Sequence, residues 1–306
     1  MAFIRTVRGD IDPAEFGVCY PHEHVLCRPP PQVTDLDLTM DSQAAAIHEL
    51  TWFKLAGGQS LVELTSVDYG RNAAGLKRVS EVTGVHIVCV TGHHKEAFSA
   101  AWVQERTVDE LAERFIRDVT QGVDGTNIQA GAIKAASSLN AITANEEKVF
   151  RAAARAQRAT GAPITTHTEA GTMGLEQIDL LRSEGVDPSR VIVGHVDRKL
   201  EWSYHLQLAR TGVCLSFDQI SKEKYYPDSQ RVEFILRLVA AGFGRQIVLS
   251  GDLARKSYWP SYGAGGGPGL TYILWRLAPW LRAEGLAQSA LDDILIHNPA
   301  RMMAIG

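Results

Sequence analysis

A rhythm that sets in after residue 40 constrains this chain more than any other feature: short apolar runs rich in β-branched residues alternate with longer stretches of helical periodicity. Alternation of this kind builds βα units, in which strands pair in parallel and helices cover the sheet. With one run before residue 40, the strand candidates are residues 18–20, 61–64, 87–90, 130–133, 163–166, 191–193, 213–216 and 247–250. Helices are expected over residues 42–56, 72–82, 107–121, 144–160, 174–184, 199–210, 229–241 and 272–284. Thr107-Val108-Asp109-Glu110 has the spacing of a capping box. Gly84, Gly161, Gly185, Gly212 and Gly242 follow helical patterns, where a left-handed cap is cheapest for glycine. Eight strands alternating with eight helices fit an α/β fold of the (β/α)8 TIM barrel type, whose active site is built at the C-terminal ends of the strands. An open doubly wound sheet is the rival, but no G-x-G-x-x-G follows the first strand to hold a dinucleotide. No linker, repeat or low-complexity segment interrupts the pattern, so residues 1–306 are read as a single domain.

Bulk properties narrow the partners. Hydrophobic residues at 45% and charged residues at 22% are the balance of a globular protein with a large core. A net charge of -4 supplies no basic field for nucleic acid or an anionic membrane, which leaves small molecules. The first ten residues carry charges where a secretory signal needs an apolar core, and no apolar run approaches the ~18 residues of a membrane span, so a cytoplasmic protein is expected. Four scattered cysteines without a C-x-x-C pair read as small hydrophobes in a reducing compartment, with a Cys19–Cys27 bridge left open.

Chemistry concentrates at the strand ends. In Pro21-His22-Glu23-His24, side chains two apart on a strand share a face, so His22 and His24 point together and Glu23 points away, toward the outer layer or a neighbouring loop. The fourth strand ends in Lys134, the fifth in His167, the sixth in His195 and the eighth in Asp252. Period two places Lys134 on the face of Ala130 and Ala132, His195 on the face of Val191 and Val193, and Asp252 on the face of Val248 and Ser250. Singly, each has a plain alternative: a core histidine, a solvated lysine, a helix-capping aspartate. Together, four histidines, a lysine and a carboxylate converge on one mouth.

Pro21-His22-Glu23-His24, Gly131-Ala132-Ile133-Lys134, Thr166-His167-Thr168, Gly194-His195-Val196-Asp197, Ser250-Gly251-Asp252 and the ending Asn298-Pro299-Ala300-Arg301 resemble the phosphotriesterase family of the amidohydrolase superfamily, over nearly the whole chain. The resemblance implies a binuclear metal centre in a barrel. His22, His24 and Asp252 would hold the buried metal, His167 and His195 the more exposed one, and Lys134, carboxylated on its amine, would bridge both. An ammonium between two dications would be repelled, whereas a carbamate offers two anionic oxygens. The family mechanism implies attack by a bridging hydroxide, with Asp252 as the proton acceptor. Zinc is the first expectation, with manganese or cobalt open, because histidine and carboxylate ligands select weakly.

Basic residues on the later loops bear on the substrate. Lys-x-Lys-Tyr at Lys222–Tyr225, Gly-Asp-x-Ala-Arg-Lys at Gly251–Lys256 and the turn Gly267-Pro268-Gly269-Leu270 resemble the branch of the family that hydrolyses phosphorylated sugar lactones. That resemblance implies Lys224, Arg255 and Tyr69 or Arg71 on the phosphate. Residues 263–269 form a flap candidate. Trp102, Phe98 and Trp259 could instead line an apolar mouth for an acyl-homoserine lactone or a phosphotriester. His93 and His94 could touch substrate or face solvent. A metal-retaining binder without turnover is the non-enzymatic alternative. A homodimer is the expected assembly by base rate.

Overall fold

The computed structural model describes residues 2–263 and 266–306. A small antiparallel hairpin, β1 (Ile4–Thr6) with β2 (Gly9–Ile11), comes first. It is followed by β3 (Cys19–Glu23), β4 (Ser60–Glu63), β5 (His86–Gly92), β6 (Ala132–Ser137), β7 (Ile164–Thr168), β8 (Val191–Val193), β9 (Cys214–Phe217) and β10 (Ile247–Leu249). These eight strands pair in parallel in chain order, β3 to β10, so every expected strand is present and the sheet curls nearly closed into a TIM barrel. The seam between β10 and β3 is bridged at its C-terminal end, where Ser250 Oγ donates to His22 O (2.7 Å) and Asp252 N to the same oxygen (3.1 Å).

Strand alternation produces two cores. Val62, Val88, Val90, Ala132, Ile192, Cys214 and Val248 pack inside the barrel, with Met302 and Met303 of the last helix, α11 (Asn298–Met303), joining them. Leu61, Ile87, Ile133, Ile164, Leu215, Phe217, Ile247 and Leu249 pack outward against the helices.

Those helices form where caps and apolar faces agree. Ser42 and Asn72 cap α1 (Gln43–Leu55) and α2 (Ala73–Thr83), and full capping boxes open α4 (Val108–Thr120) at Thr107 and α5 (Ala144–Thr160) at Thr143. Left-handed Gly84 and Gly161 end α2 and α5. Beyond the expected set lies α3 (Glu96–Val103), whose N-cap, Lys95, makes no side-chain capping bond. α6 (Gly174–Ser183) and α8 (Asp228–Ala240) match expectation, while α7 starts late, at Trp202–Arg210, behind a 3-10 turn at Val196–Arg198.

The expected helix over 272–284 divides into a π-helical turn, Ile273–Leu277, and α9 (Ala278–Ala283). Pro279 has no N–H to return to residue 275, and the residue before it reaches back five positions, Ala278 N to Ile273 O. The same happens before Pro299, where a π turn at Asp293–His297 follows α10 (Gln288–Asp292). No helix among the described residues is long and apolar enough to cross a membrane. All four cysteines are buried and free, which closes the Cys19–Cys27 option; Cys27 Sγ donates to Leu38 O instead.

Candidate metal centre

The two first-strand histidines reach the mouth by a bulge. β3 pairs with β4 at Tyr20↔Leu61 and next at Glu23↔Glu63, three steps against two, so one residue is extra. Cys19 packs inside and Tyr20 outside, so strict alternation would turn His22 outward; the inserted residue reverses that. β6 needs no such device: Ala132 faces in, Ile133 out, and Lys134 in again. On β8 the expected facing is reversed. Val191 and Val193 pack against the helices and Ile192 lies inside, so His195 does not share their face in any useful sense. It reaches the mouth because the strand stops at Val193 and His195 itself is left-handed (φ 60°). A Cβ at Gly194 would lie 2.2 Å from Thr166 O, so only glycine fits the approach to that turn. Asp252 is likewise left-handed (φ 45°), after an inward Val248 as expected. Each such non-glycine residue costs about 1–2 kcal/mol, and both sit at the site.

Six expected side chains meet there. His24 Nε2 is 3.4 Å and His22 Nε2 3.8 Å from Asp252 Oδ1. Lys134 Nζ is 3.4 Å from His22 Nε2, and His195 Nε2 is 2.8 Å from His167 Nδ1. Two overlapping groups, His22/His24/Asp252 and His22/His195/Asp218, bring ligand atoms within 4.8 Å of one another. The first is the set expected at the buried metal, and Lys134, His195 and His167 beside it bring the donors to the number a two-metal centre needs, whereas Asp218 of the second meets its two rings from the outer side. Burial holds His22 at about 4 and His167 at about 3, so the imidazoles are neutral, the form that binds metal. Burial would raise Asp252, but Lys222 and the facing imidazoles hold it below the usual carboxylate range.

Asp218 and its neighbours escaped the sequence reading. Asp218 follows β9 directly and accepts from His195 Nδ1 (2.6 Å) and His195 N (3.0 Å), while His22 Nδ1 lies 2.9 Å away. One buried carboxylate thus fixes both rings with Nε2 turned inward. The other missed partners, Gln219 and Lys222, hold Asp252 Oδ2 at 2.7 and 2.9 Å. The seventh strand end carries no histidine or lysine, only Phe217-Asp218-Gln219; listing every polar residue within two positions of each strand end would have found Asp218 and Gln219. Glu23 behaves as expected and stays off the ligand set: it accepts from Ser250 Oγ (2.8 Å), Gly251 N (2.6 Å) and Leu253 N (3.0 Å) on the loop after β10.

Above the centre a pocket is lined by His94, Lys95, Phe98, Tyr69, Glu169, Arg198, Lys222, Tyr225, Arg255 and Tyr258, among others. Tyr69 and Arg255 are therefore at the mouth. Lys224 stands behind it, Nζ 5.0 Å from the Tyr225 ring and 5.5 Å from the Tyr258 ring. Arg71 is elsewhere: its side chain is buried, donates to both oxygens of Asp124 (2.9 and 2.6 Å) and to Val90 O (2.6 Å), and faces no part of the pocket. That guanidinium is a brace between a turn and β5, and a substrate role for it is withdrawn. Arg71→Met is expected to lower stability by about 2 kcal/mol, the loss of charge-assisted hydrogen bonds from a buried guanidinium to a carboxylate that itself reaches solvent, with KM unchanged; denaturant melts and steady-state kinetics check both. His93 is buried behind the pocket against Trp102 and Phe115. Trp259 is buried and Trp102 borders a different groove, so of the three apolar candidates only Phe98 lines the mouth. The flap candidate includes residues 264 and 265, outside the described residues.

The profile of the Phosphotriesterase family matches residues 2–303. The chain belongs to the phosphotriesterase family. As a member of it, the chain resembles a lactonase from Listeria monocytogenes, whose crystal structure superposes with a TM-score of 0.95 at 39% identity and 98% coverage of both chains. It is 32% identical to the phospho-furanose lactonase of Mycoplasmopsis synoviae over 99% of this chain and 92% of that protein. It is also 34% identical to the N-acetyltaurine hydrolase of Dictyostelium discoideum over 88% of this chain and 75% of that one. Membership in this phosphotriesterase family makes the protein a metal-dependent hydrolase of small molecules.

Proposed function

We propose that this protein is a lactonase that opens a phosphorylated sugar lactone. The observation that carries this is the cationic rim of the pocket, and Arg198 above all. Its guanidinium lies 3.5 Å over the Tyr225 ring and makes no ion pair among the described residues, while Arg255, Lys222 and Lys95 line the same cavity. A buried-edge cation left without a carboxylate is suited to an incoming dianion. Arg198, backed by Lys224, would hold the phosphate; Arg255, paired with Asp35 (2.6 Å) and Asp37 (3.4 Å), would join it by exchanging those carboxylates for the dianion, and Tyr69 would border the ring.

The donor set fits two divalent ions: four imidazoles with one nitrogen each turned inward, Asp252, and Lys134. When bound, such ions activate water and polarise an ester carbonyl; zinc is the first choice, with manganese or cobalt alternatives. Lys134 suits carboxylation because it is buried, makes no ion pair among the described residues, and is lowered to about 8 by that burial. Its neutral amine would add carbon dioxide and release one proton, leaving an anionic carbamate in place of a cation. In lactone opening, water adds to the carbonyl carbon and its proton passes to Asp252 Oδ1. The ring C–O bond then breaks, and the departing alkoxide takes that proton back. Gln219 and Lys222 keep Asp252 Oδ1 aimed by holding Oδ2.

The test is hydrolysis of five-carbon lactones with and without a phosphate. The phosphorylated substrate should be strongly preferred, and Arg198→Ala should raise its KM about 10- to 100-fold, the loss of a charge-assisted hydrogen bond, while leaving the unphosphorylated lactone unaffected. Equal rates on both lactones would remove the phosphate assignment. The resemblance to an N-acetyltaurine hydrolase supports a second reading, an amide of an aminosulfonate, because the same rim would accept a sulfonate. Turnover of N-acetyltaurine without lactone turnover would replace the first reading with the second, and preference for acyl-homoserine lactones or phosphotriesters would replace both.

A further inference from the structure

In each of the four histidines one ring nitrogen faces the centre and the other is engaged from outside. His24 Nδ1 meets Thr65 Oγ1 at 2.7 Å, and the Nδ1 atoms of His195 and His22 meet Asp218 at 2.6 and 2.9 Å. Those outer partners are wholly buried. His167 departs from the pattern in two ways. It presents Nδ1 inward, 2.8 Å from His195 Nε2, and turns Nε2 outward onto Glu169 Oε2 at 3.0 Å. Its outer partner is also partly open, with 28% of the Glu169 side chain exposed at the pocket.

The same Glu169 oxygen accepts from Lys95 Nζ, at the start of α3. Glu169 thus ties a histidine at the end of β7 to an ammonium on the loop after β5. The backbone beyond it is held against its preferences: Ala170 (φ 53°), Gly171 (φ 73°) and Met173 (φ 66°) are all left-handed. A Cβ at Gly171 would fall 2.8 Å from Lys199 N. Neither alanine nor methionine gains a local hydrogen bond from that conformation, so its cost is met by the surrounding structure. The turn keeps the carboxylate beside His167.

We infer that Glu169 is a positioning residue for the more exposed metal: it accepts the Nε2 proton of His167, fixing the tautomer whose Nδ1 lone pair faces the centre, and Lys95 holds Glu169 in place. This rests on the two-metal reading above. A ligand imidazole whose outer N–H is unpaired can rotate and change tautomer, which weakens metal binding about 10- to 100-fold.

Zinc titration of the metal-free full-length protein, read by calorimetry and elemental mass spectrometry, separates the two claims. The natural protein should take up two equivalents. Glu169→Ala should weaken the second by 10- to 100-fold, by the same reasoning, and leave the first unchanged. Glu169→Gln, whose Oε1 still accepts the proton, should retain most of the affinity, and Lys95→Met should fall between Gln and Ala. Nitrogen-15 NMR of the metal-free protein should find His167 as the Nε2–H tautomer in the natural and Gln proteins and as a mixture in the Ala variant. Two equivalents bound by Glu169→Ala with unchanged affinity would overturn the proposal, as would equal losses in the Gln and Ala variants. Uptake of fewer than two equivalents by the natural protein would instead overturn the two-metal reading, and the tautomer measurement would still decide the role of Glu169.

Discussion

Asp252→Asn is expected to lower kcat for the lactone by about 10³-fold, the middle of the range for removing a general base, with the fold intact. The amide has nearly the shape of the carboxylate, so packing around a side chain only 16% exposed is kept. Its charge and its ability to receive a proton are lost. One further effect has a definite sign. Lys222 Nζ donates to both Asp252 Oδ2 and Asp252 O, and Gln219 Nε2 donates to Oδ2. An asparagine must either turn its NH2 toward these two donors or turn it toward His22 and His24. Either choice costs a contact, so metal uptake should weaken along with kcat. Steady-state kinetics at saturating zinc, alongside metal content, check this; a variant with full metal and unchanged kcat would remove Asp252 from the proton-transfer role.

The second large effect is expected at Asp218, which no motif announced. Asp218→Asn should weaken metal binding and kcat/KM together by about 100-fold, the upper part of the range for a group that orients metal ligands. The reason for the upper part is that one carboxylate serves two rings. His195 presents both its N and its Nδ1 to Asp218, and His22 presents Nδ1. An asparagine offers one acceptor oxygen where three donors converge, so at least one ring loses its anchor. The measurement is zinc affinity by competition with a chelator, next to kcat/KM. An effect on only one of the two metal equivalents would mean that the two rings are anchored independently.

Much of the barrel was legible because strand length, helix length and glycine punctuation all agreed along the chain. Thr107 and Thr143 open their helices with reciprocal caps, and Gly84 and Gly161 close theirs. The convergence of the six side chains was legible too, but the reason given for one of them was wrong. Counting by two along residues 191–195 assumes an unbroken strand, and β8 ends at Val193. A left-handed histidine does not show in a period-two pattern, because most such turns are signalled by glycine or asparagine and here the glycine stands one residue earlier. The bulge in β3 is hidden for a related reason: it depends on register against β4, a property of two segments. The π turns before Pro279 and Pro299 are legible in retrospect, since each proline lacks the N–H that an α-turn would need.

Arg71 failed differently. A loop arginine after a strand reads as a ligand for phosphate, and nothing local says that Asp124, far along the chain, will claim it first. Arg198 presents the converse: it stands between Gly194-His195-Val196-Asp197 and the helix expected from residue 199, where nothing singled it out, yet at the mouth it has no ion-pair partner among the described residues. Charge pairing across loops decides which basic residues stay available, and sequence order alone does not give that pairing.

The seam between β10 and β3 has a temporal consequence. His22 and His24 stand near the start of the chain and Asp252 near its end, and the bond from Ser250 Oγ to His22 O that closes the gap spans 228 residues. During synthesis the N-terminal histidines emerge long before the strand that completes their site, so the nascent chain passes through most of its translation unable to capture a cation at the buried position. On the proposed ligand set, loading would follow release of the last strand. An ion held by His22, His24 and Asp252 would tie the two ends of the barrel together at the boundary that has no strand ladder among the described residues, so removing it should open the molecule first along that line.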